Sequence, residues 1–319
     1  MLPVDPALTL ATDGSFPGLL CAYGWAHRAG RLPSDVVLAD RPADGLLFGA
    51  PERVETEAPL AGRLERGIER VVPGLIGRLF RAFLSERPGI EVVILRVIDA
   101  VAADGAAAAS DWTFEPTRVV SQWSKRVGRE AHRMEAFVRF EKHEVGDDGP
   151  RTADDSPSAE DAASPSEPDV RRAVPATLPE SGDATSAASP PPNPQPPDPD
   201  TLWLATARPE VHVLPLIGDH FATRYPAMRW AIVDDRRGLA LLHDTPAAAL
   251  ADGEPPTRIV PAATLAGLRP TDDERAYQTM WRAYFRAVDI PERKNLKLHL
   301  RHVPKRYWPY LTEKREAVG

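Results

Sequence analysis

Six cationic side chains recur on one side of a helix predicted over residues 118–134. At about 100° per residue, the apolar residues of this segment fall in one sector about 120° wide, and the cationic residues fall in the opposite sector. The cationic residues are Arg118, Lys125, Arg126, Arg129, His132 and Arg133. Neighbouring cations on a helix repel one another, and contacts of Lys and Arg with phosphates supply the sequence-independent part of nucleic-acid binding. The row therefore favours phosphate contact over its alternative, a plain solvated helix face.

Glu130 is the one acidic residue of the same segment, and it lies at the edge of the apolar sector. A carboxylate in that position is expected to form a structural ion pair with a neighbouring arginine. The alternative is a partly buried carboxylate with a functional role, because burial and nearby charges shift the pKa of such groups.

A second basic stretch covers residues 291–311. Its cations are Arg293, Lys294, Lys297, Arg301, Lys305 and Arg306, with Glu292 as the only acid, and Tyr307, Trp308 and Tyr310 follow directly. Cations for the backbone and aromatic faces for stacking are what single-stranded or flipped bases require. Lys305 and Arg306 are expected to contact an anion, and Tyr307 or Trp308 to stack on a base. Packing into the core is the favoured alternative for Trp308.

An enzyme acting on a DNA base or backbone needs acid/base groups, and four residues qualify by type: His132, Glu130, His220 and Asp234. For His220 a structural role beside Phe221 is favoured, and for Asp234 the chemistry of a turn. The sequence contains no nucleophile elbow, kinase set or deaminase signature. Whether the protein has a catalytic step therefore stays open.

The chain has a single cysteine, Cys21, among 319 residues. A disulfide within the chain is therefore excluded, as is a cysteine-based zinc or iron–sulfur site. His299 and His302 are three residues apart, but no carboxylate or cysteine pair lies near them in the sequence. No metal site and no cofactor are predicted.

Charge is unevenly distributed along the chain. The net charge is −7, but residues 144–200 hold 13 acidic and 3 basic residues, a balance of −10, which leaves +3 for the rest. Residues 145–199 are mainly Pro, Ser, Asp, Glu and Ala, a composition that cannot bury enough apolar area to offset the entropy of ordering. This segment is predicted to be a disordered acidic linker that acts as a solubilising spacer. Competition with DNA for a basic surface is the alternative.

Segments with strand periodicity flank the linker, at residues 136–140 and 202–205. They are predicted to be the two arms of a hairpin whose loop has been enlarged. Residues 1–144 and 201–319 are then two parts of one globular domain, separated by the linker at 145–200. A domain boundary inside the linker is the alternative.

The remaining periodicity predicts helices and strands on both sides of the linker. Before it we expect a strand at 8–11, a helix at 17–28, and helical segments at 60–84 and 86–101. After it we expect a helix at 212–224, strands at 229–233 and 239–242, and a helix opened by a capping box at Thr271 and Glu274. The apolar face of that last helix comprises Tyr277, Met280, Trp281, Tyr284, Phe285 and Val288. The predicted fold class is α+β, a mostly antiparallel sheet with flanking helices that is interrupted by the long acidic linker.

Neither a signal peptide nor an apolar stretch of the roughly 20 residues needed to span a membrane is found in the sequence. A soluble, cytoplasmic protein without a membrane partner is therefore expected. The single cysteine fits a reducing compartment.

Several short motifs, in order along the chain, resemble those of one family. They are TDGSF at residues 12–16, GREAHRM at 128–134 with FVRF at 137–140, LPLI at 214–217 with His220 and Phe221, Trp230 with Ile232 and Asp234, and ERKN at 292–295 with PKRYW at 304–308 and LTE at 311–313. The chain thereby resembles an uncharacterised family assigned to DNA metabolism and repair, classed as a domain of unknown function. The resemblance covers nearly the whole chain apart from the linker.

This resemblance implies a role linked to DNA repair, but it implies no reaction. Members of that family typically accompany a radical-SAM protein assigned to DNA modification or repair, and some are fused to a uracil-DNA glycosylase-like domain. Both kinds of protein are therefore expected partners, together with single-stranded or damaged DNA. The present sequence has no glycosylase-like segment. It is not the radical-SAM enzyme itself, which needs three clustered cysteines.

The expected function is that of a DNA metabolism or repair protein that binds nucleic acid through the two basic stretches, as an accessory to a radical-SAM enzyme. The first alternative is an enzyme acting on a DNA base or backbone. The second is a protein–protein adaptor that docks through the Pro-rich linker.

Overall fold

The computed structural model describes residues 1–39, 50–145, 201–245, 255–288, 297–298, 300 and 303–315. The elements are, in chain order, β1 (Val4–Thr12), α1 (Phe16–Ala29), β2 (Leu32–Leu38), β3 (Glu52–Arg53), α2 (Ala58–Val71), α3 (Leu75–Phe83), α4 (Ile90–Asp104), α5 (Glu115–Phe137), β4 (Glu141–Val145), β5 (Thr201–Ala207), α6 (Leu214–Arg224), β6 (Trp230–Asp234), β7 (Leu239–His243), β8 (Thr257–Pro261), β9 (Leu268–Pro270) and α7 (Asp272–Ala287). Three 3-10 helices, Gly105–Ser110, Ala262–Leu265 and Lys305–Tyr310, complete the described elements.

The first sheet is small and parallel, with β1 between β2 and β3. The Ser15 side chain begins α1 by accepting a hydrogen bond from the Gly18 amide at 3.0 Å. Gly30 ends the helix with a φ of 70°, a conformation that glycine adopts without strain. The helices α2, α3 and α4 lie where helical periodicity predicted them. The breaks between them fall at Pro73 and Pro88, because proline cannot continue the hydrogen-bond ladder of a helix.

The second sheet has six strands in the order β8-β7-β6-β5-β4-β9. All its neighbours are antiparallel except β5 and β6, which run parallel and are connected through α6. The α+β class is confirmed, and so is a mostly antiparallel main sheet. The strands are not all antiparallel, however, because β1 to β3 form a separate parallel sheet. The strands β2, β3, β8 and β9 were not predicted.

The predicted hairpin on either side of the linker is confirmed, but its first arm was misplaced. β4 pairs antiparallel with β5, with Glu141 opposite Leu204 and Glu144 opposite Thr201. Residues 136–140 are not that arm, since α5 continues to Phe137. The amide of Val138 still donates to the Met134 carbonyl at 3.0 Å. The apolar residues that alternate there belong to the end of α5, at Phe137, and to the residues that lead into β4 at Glu141.

The helix α7 begins as predicted, with the Thr271 side chain accepting from the Glu274 amide at 3.2 Å. The Glu274 carboxylate does not close the capping box, because it accepts a hydrogen bond from the Lys142 amide of β4 at 3.1 Å. The cap thereby attaches α7 to β4, which lies between β5 and β9 in the sheet. The predicted apolar face of α7 is largely exposed, and Tyr277, Met280 and Tyr284 are each more than half accessible.

The helix α5 contributes to both hydrophobic cores of the described structure. Val119 and Val120 belong to the core formed with α1 to α4, and Val127 and Met134 belong to the core between α6 and the six-stranded sheet. Burial of each such side chain stabilises the fold by roughly 1.5–3 kcal/mol. Since the same helix carries the predicted cationic row, its packing fixes the direction in which that row faces.

The β4–β5 pairing predicts that the acidic linker can be shortened without loss of the fold. Replacement of residues 147–199 by four Gly and Ser residues leaves seven residues between Glu144 and Thr201 in place of 56, three halvings of the loop. Each halving of a flexible loop lowers the entropic cost of closing it on folding by about 0.6 kcal/mol. We therefore expect the free energy of unfolding, measured by urea denaturation, to rise by about 2 kcal/mol.

The control is a chain with the linker sequence scrambled at constant length, which is expected to match wild type. If the shortened chain loses its cooperative unfolding transition while the scrambled chain keeps it, the hairpin assignment is wrong.

Candidate functional site

The helix α5 presents two faces whose burial follows the predicted sectors. It begins at Glu115 with Pro116 in the first turn, where a missing amide proton removes no helical hydrogen bond. The buried side chains include Val119, Val120, Val127, Ala131 and Met134. The exposed residues include Arg118, Lys125, Arg126, Arg129 and His132, and Arg133 is half-buried. The helical period alone therefore predicted the orientation of this element correctly.

Glu130 lies at the centre of a buried polar network, although its helix is otherwise packed through apolar residues. Its side chain is 3% exposed. The carboxylate accepts hydrogen bonds from the Tyr307 hydroxyl and from Arg306 Nη2, each at 2.7 Å. It also accepts from the Glu210 amide at 3.1 Å and from Arg133 Nη1 at 3.4 Å. The structural ion pair predicted for Glu130 is confirmed. The shorter of its two ion-pair distances is to Arg306, at 2.7 Å, and the longer is to Arg133 of the same helix, at 3.4 Å.

The electrostatics of this network keep the carboxylate ionised. Burial alone would raise the pKa of Glu130, but hydrogen bonds from the Glu210 amide and the Tyr307 hydroxyl, with the charge of Arg306, lower it overall. Burial and the bond to Glu130 raise the pKa of the Tyr307 hydroxyl, which stays protonated and donates. A carboxylate whose pKa is lowered is a weak proton acceptor near neutral pH. The arrangement fits a positional role for Glu130.

Residues 208–213 connect this network to the sheet. They follow β5 at the carboxyl end of the parallel pair, where Ala207 lies opposite Asp234. The Glu210 carboxylate forms an ion pair with Arg126, and the Glu210 carbonyl accepts from Arg236 Nη1 at 2.7 Å. One residue therefore joins α5, the loop after β5 and the turn after β6.

A second charged network lies beside the first, around the Asp234 carboxylate. Asp234 is fully buried, and its carboxylate accepts from Arg237 Nη1 at 2.8 Å and from the Arg236 and Arg237 amides. Arg237 also donates from Nε to the Glu86 carboxylate at 3.0 Å. The turn chemistry predicted for Asp234 is confirmed, and an ion pair is added to it.

Glu86 and His212 are held in unusual environments next to Arg237. Glu86 has a φ of 51°, the only positive value for a non-glycine residue in the described chain, and such a conformation costs about 1–2 kcal/mol. Burial and the charge of Arg237 lower the pKa of His212, and its Nδ1 is buried without a hydrogen-bond partner in the described chain. The strain at Glu86 is offset in part by its contact with Arg237.

The cations on the outer face of α5 lack, in the described chain, the ion pairs with buried or loop carboxylates that Arg126 and Arg133 form. Within the part of the chain that the structure covers, Arg118, Lys125 and Arg129 form no ion pair, and only His132 contacts a carboxylate, that of Glu135 at 3.2 Å. Gly128 lies in a shallow open depression of about 470 Å³, which is lined by Lys125, Arg129, His132 and Arg133. The row therefore carries positive charge that faces solvent.

The second basic stretch is only partly surface. Lys305 is exposed, but Arg306 pairs with Glu130, and Tyr307 is 2% exposed. Tyr307 is therefore not available to stack on a base, because its hydroxyl bonds to Glu130 and its ring packs against Phe137 at 5.0 Å. Trp308 is half-buried and donates from Nε1 to the Val303 carbonyl at 3.0 Å. Lys297 is exposed. Arg293, Lys294 and Arg301 lie outside the described residues.

The four candidate acid/base residues are not brought together. Glu130 and Asp234 lie in separate buried networks, each bonded to arginine. His132 is exposed on α5, and His220 is exposed on α6 with its ring against Phe221 at 5.0 Å. A catalytic role for any of them stays a prediction, and no pair among them forms the hydrogen bond that a nucleophile and its base share.

Neither a metal site nor a membrane-spanning helix is present in the described part of the chain. It contains no group of three or more His, Cys, Asp or Glu side chains that is arranged to hold a metal ion. Of its helices, none combines the length and the apolar character that crossing a bilayer requires. His299 and His302 lie outside the described residues.

Comparison with known proteins identifies one family. The model of DUF4130, a domain of unknown function, matches residues 88–157 and 196–313. The chain therefore belongs to the DUF4130 family. No curated protein and no solved structure matches it. The matched residues include α5, residues 208–213 and the 3-10 helix Lys305–Tyr310, so the whole Glu130 network lies within the family domain.

Three features of the site had no clear signal in the sequence. Glu210 lies in an irregular loop, and its partner Arg126 is 84 residues away. Glu86 and Arg237 are 151 residues apart. Trp112, which is 56% exposed beside Lys125, stands in a short polar turn that periodicity does not describe. The sequence marks Trp112 only by its type, since it is a large aromatic residue in a turn where no core position is expected.

The lowered pKa of Glu130 predicts how stability depends on pH. The stabilisation by this carboxylate is complete above its unfolded-state pKa of about 4.3 and is lost as the pH falls through the lower folded-state pKa. Glu130→Gln removes the charge and keeps the shape, so we expect it to lower the free energy of unfolding at pH 7 by about 2 kcal/mol. That difference from wild type should shrink below about pH 4.

Urea denaturation across this pH range measures the difference. Glu65→Gln on the exposed side of α2 is the matched control and should stay within about 0.5 kcal/mol of wild type. A difference that grows as the pH falls, or none at neutral pH, would rule out an ionised and stabilising Glu130.

Proposed function

We propose that this DUF4130 protein binds nucleic acid, with DNA as the expected polymer, through the outer face of α5. The observation that carries the proposal is the row of exposed cations at Arg118, Lys125 and Arg129, which form no ion pair among the described side chains. Such charges are free to replace the counterions that surround phosphates, and this exchange drives non-specific nucleic-acid binding.

The dimensions of the row suit a phosphate backbone. From Arg118 to His132 the helix rises about 21 Å at 1.5 Å per residue. One DNA strand carries a charge about every 3.4 Å, so the row runs beside several phosphates of a strand aligned with it. The depression at Gly128 lies within this length, and it is lined by Lys125, Arg129, His132 and Arg133.

The buried networks support the same proposal indirectly. Arg126 and Arg133 are already paired with Glu210 and Glu130, so their charges help to hold α5 in place. The remaining cations are held on a rigid helix that packs into two cores, and a preorganised site loses less entropy when it binds. We therefore assign phosphate contact to Arg118, Lys125 and Arg129, with Lys305 as a further exposed cation.

The biological context is proposed from the family resemblance. We infer that the protein is an accessory in DNA metabolism or repair, acting with a radical-SAM enzyme and with a uracil-DNA glycosylase-like protein. The enzyme alternative gains no support from the separated positions of His132, Glu130, His220 and Asp234. The adaptor alternative depends on the linker, which lies outside the described residues.

Removal of the free cations tests the proposed surface. In Arg118/Lys125/Arg129→Gln we expect weaker binding of labelled DNA in fluorescence-anisotropy titrations. We also expect a log–log salt slope shallower by about 2–3, since each phosphate contact contributes roughly 0.7–0.9.

Arg63/Arg66/Arg70→Gln on α2 removes the same three charges from exposed positions of another helix. It should bind with nearly the wild-type slope. Equal losses in both variants would mean that net charge matters and the α5 row does not. If wild type does not bind at low salt, the proposed function is wrong.

A further inference from the structure

Trp112 is the exposed tryptophan of this protein. All seven tryptophans lie among the described residues, and Trp112 is the only one that is more than half accessible, at 56%. The others are half-buried or, in the case of Trp230, fully buried. An indole left in water forgoes part of the hydrophobic stabilisation that burial would give. Single exposed apolar side chains are common on protein surfaces, so a role for Trp112 must be inferred from its neighbours.

The position of Trp112 is fixed by the turn before α5. The amide and hydroxyl of Thr113 both donate to the Asp111 carboxylate, at 2.8 and 2.6 Å. The Thr117 hydroxyl of α5 donates to the Ala108 carbonyl at 3.1 Å, which attaches the helix to the preceding 3-10 helix. The turn that carries the indole is therefore held at both ends.

The indole borders the cationic row of α5. Lys125 Nζ lies 5.7 Å from the centre of the Trp112 ring. Lys125 also lines the depression beside Gly128, together with Arg129. An aromatic face, a lysine and a cationic depression thus follow one another along the same surface. Proteins that bind single strands without sequence preference combine these same two parts, a cationic track and an aromatic platform.

We propose that Trp112 is a base-stacking platform, and that the surface takes an unpaired strand in preference to a duplex. The inference rests on the proposed nucleic-acid binding and names the form of the polymer. A base would lie on the indole while its flanking phosphates contact Lys125 and Arg129. In a duplex the bases already stack on one another, so the indole gains a partner only from an unpaired base.

Acidic neighbours favour a base over a phosphate at the ring itself. Asp111 and Glu115 are both exposed and flank Trp112 in the sequence. Their charges repel a phosphate placed over the turn, while the neutral face of a base carries no such penalty. The backbone is thereby directed toward the cations of α5, and the base toward the indole.

The test compares the binding of a labelled oligothymidylate with that of a labelled duplex of equal length. Trp112→Ala is expected to weaken binding of the single strand about fivefold or more, since stacking on one aromatic side chain has an effect of that size. Its salt slope should match wild type, because no cation is removed. Trp112→Phe should restore part of the affinity, and duplex binding should be unchanged in both variants.

Tyr284→Ala is the matched control, since it removes an aromatic residue of similar exposure, 57%, from α7. It should bind the single strand like wild type. Thermal unfolding of each variant shows whether the fold is retained. If Trp112→Ala binds the single strand like wild type, or loses duplex affinity to the same extent, the stacking platform is refuted while the phosphate surface stands. If wild type binds neither ligand, both proposals fail together.

Discussion

The structure depends on one buried carboxylate. Glu130 is surrounded by four donors from three segments of the chain: Arg133 of its own helix, the Glu210 amide of the loop after β5, and Arg306 and Tyr307 of the C-terminal segment. An ionised carboxylate at 3% exposure would be strongly unfavourable without these partners. Because each donor is needed, the position of each segment is tied to that of α5.

This constraint divides the arginines of α5 into two kinds. Arg133 and Arg126 lie on the side that faces Glu130 and Glu210, and they compensate those carboxylates. Arg118 and Arg129 lie on the side away from the network and have no ion pair in the described chain. A charge already paired with a buried carboxylate gains little from a phosphate, since it would have to leave one anion for another. The free cations are therefore the ones with an electrostatic reason to bind a ligand.

Local periodicity was enough to predict the parts of the site that lie on one helix. The spacing of Val119, Val127 and Met134 against Lys125 and Arg129 oriented α5 correctly, because helical geometry relates those residues directly. Strand alternation at residues 202–205 likewise predicted β5. The hairpin across the linker was also predicted, but with its first arm at residues 136–140 instead of Glu141–Val145. The ion pair of Glu130 was expected from its place at the edge of the apolar sector.

Long-range partners were not predictable from the same information. Arg306 and Tyr307 are 176 and 177 residues from Glu130. In the sequence both belong to a basic, aromatic stretch that is typical of a nucleic-acid surface, and only the fold reveals that they face a carboxylate. The parallel sheet of β1 to β3 was missed because β2, with the sequence LPSDVVL, lacks strand alternation and β3 has only two residues. Trp112 was missed because turns have no period that marks which side chains stay exposed.

We propose that Arg129 contacts the nucleic acid, whereas Arg306 stabilises the fold through its ion pair with Glu130. The most direct test measures both the salt dependence of DNA binding and the free energy of unfolding in Arg129→Gln and Arg306→Gln, which remove one charge each. We expect Arg129→Gln to make the log–log slope shallower by about 0.7–0.9 and to change the free energy of unfolding by less than about 0.5 kcal/mol. Arg306→Gln should instead lower the free energy of unfolding by about 3 kcal/mol and keep the wild-type slope. The opposite pattern, with Arg306 governing the slope and Arg129 the stability, would contradict the account.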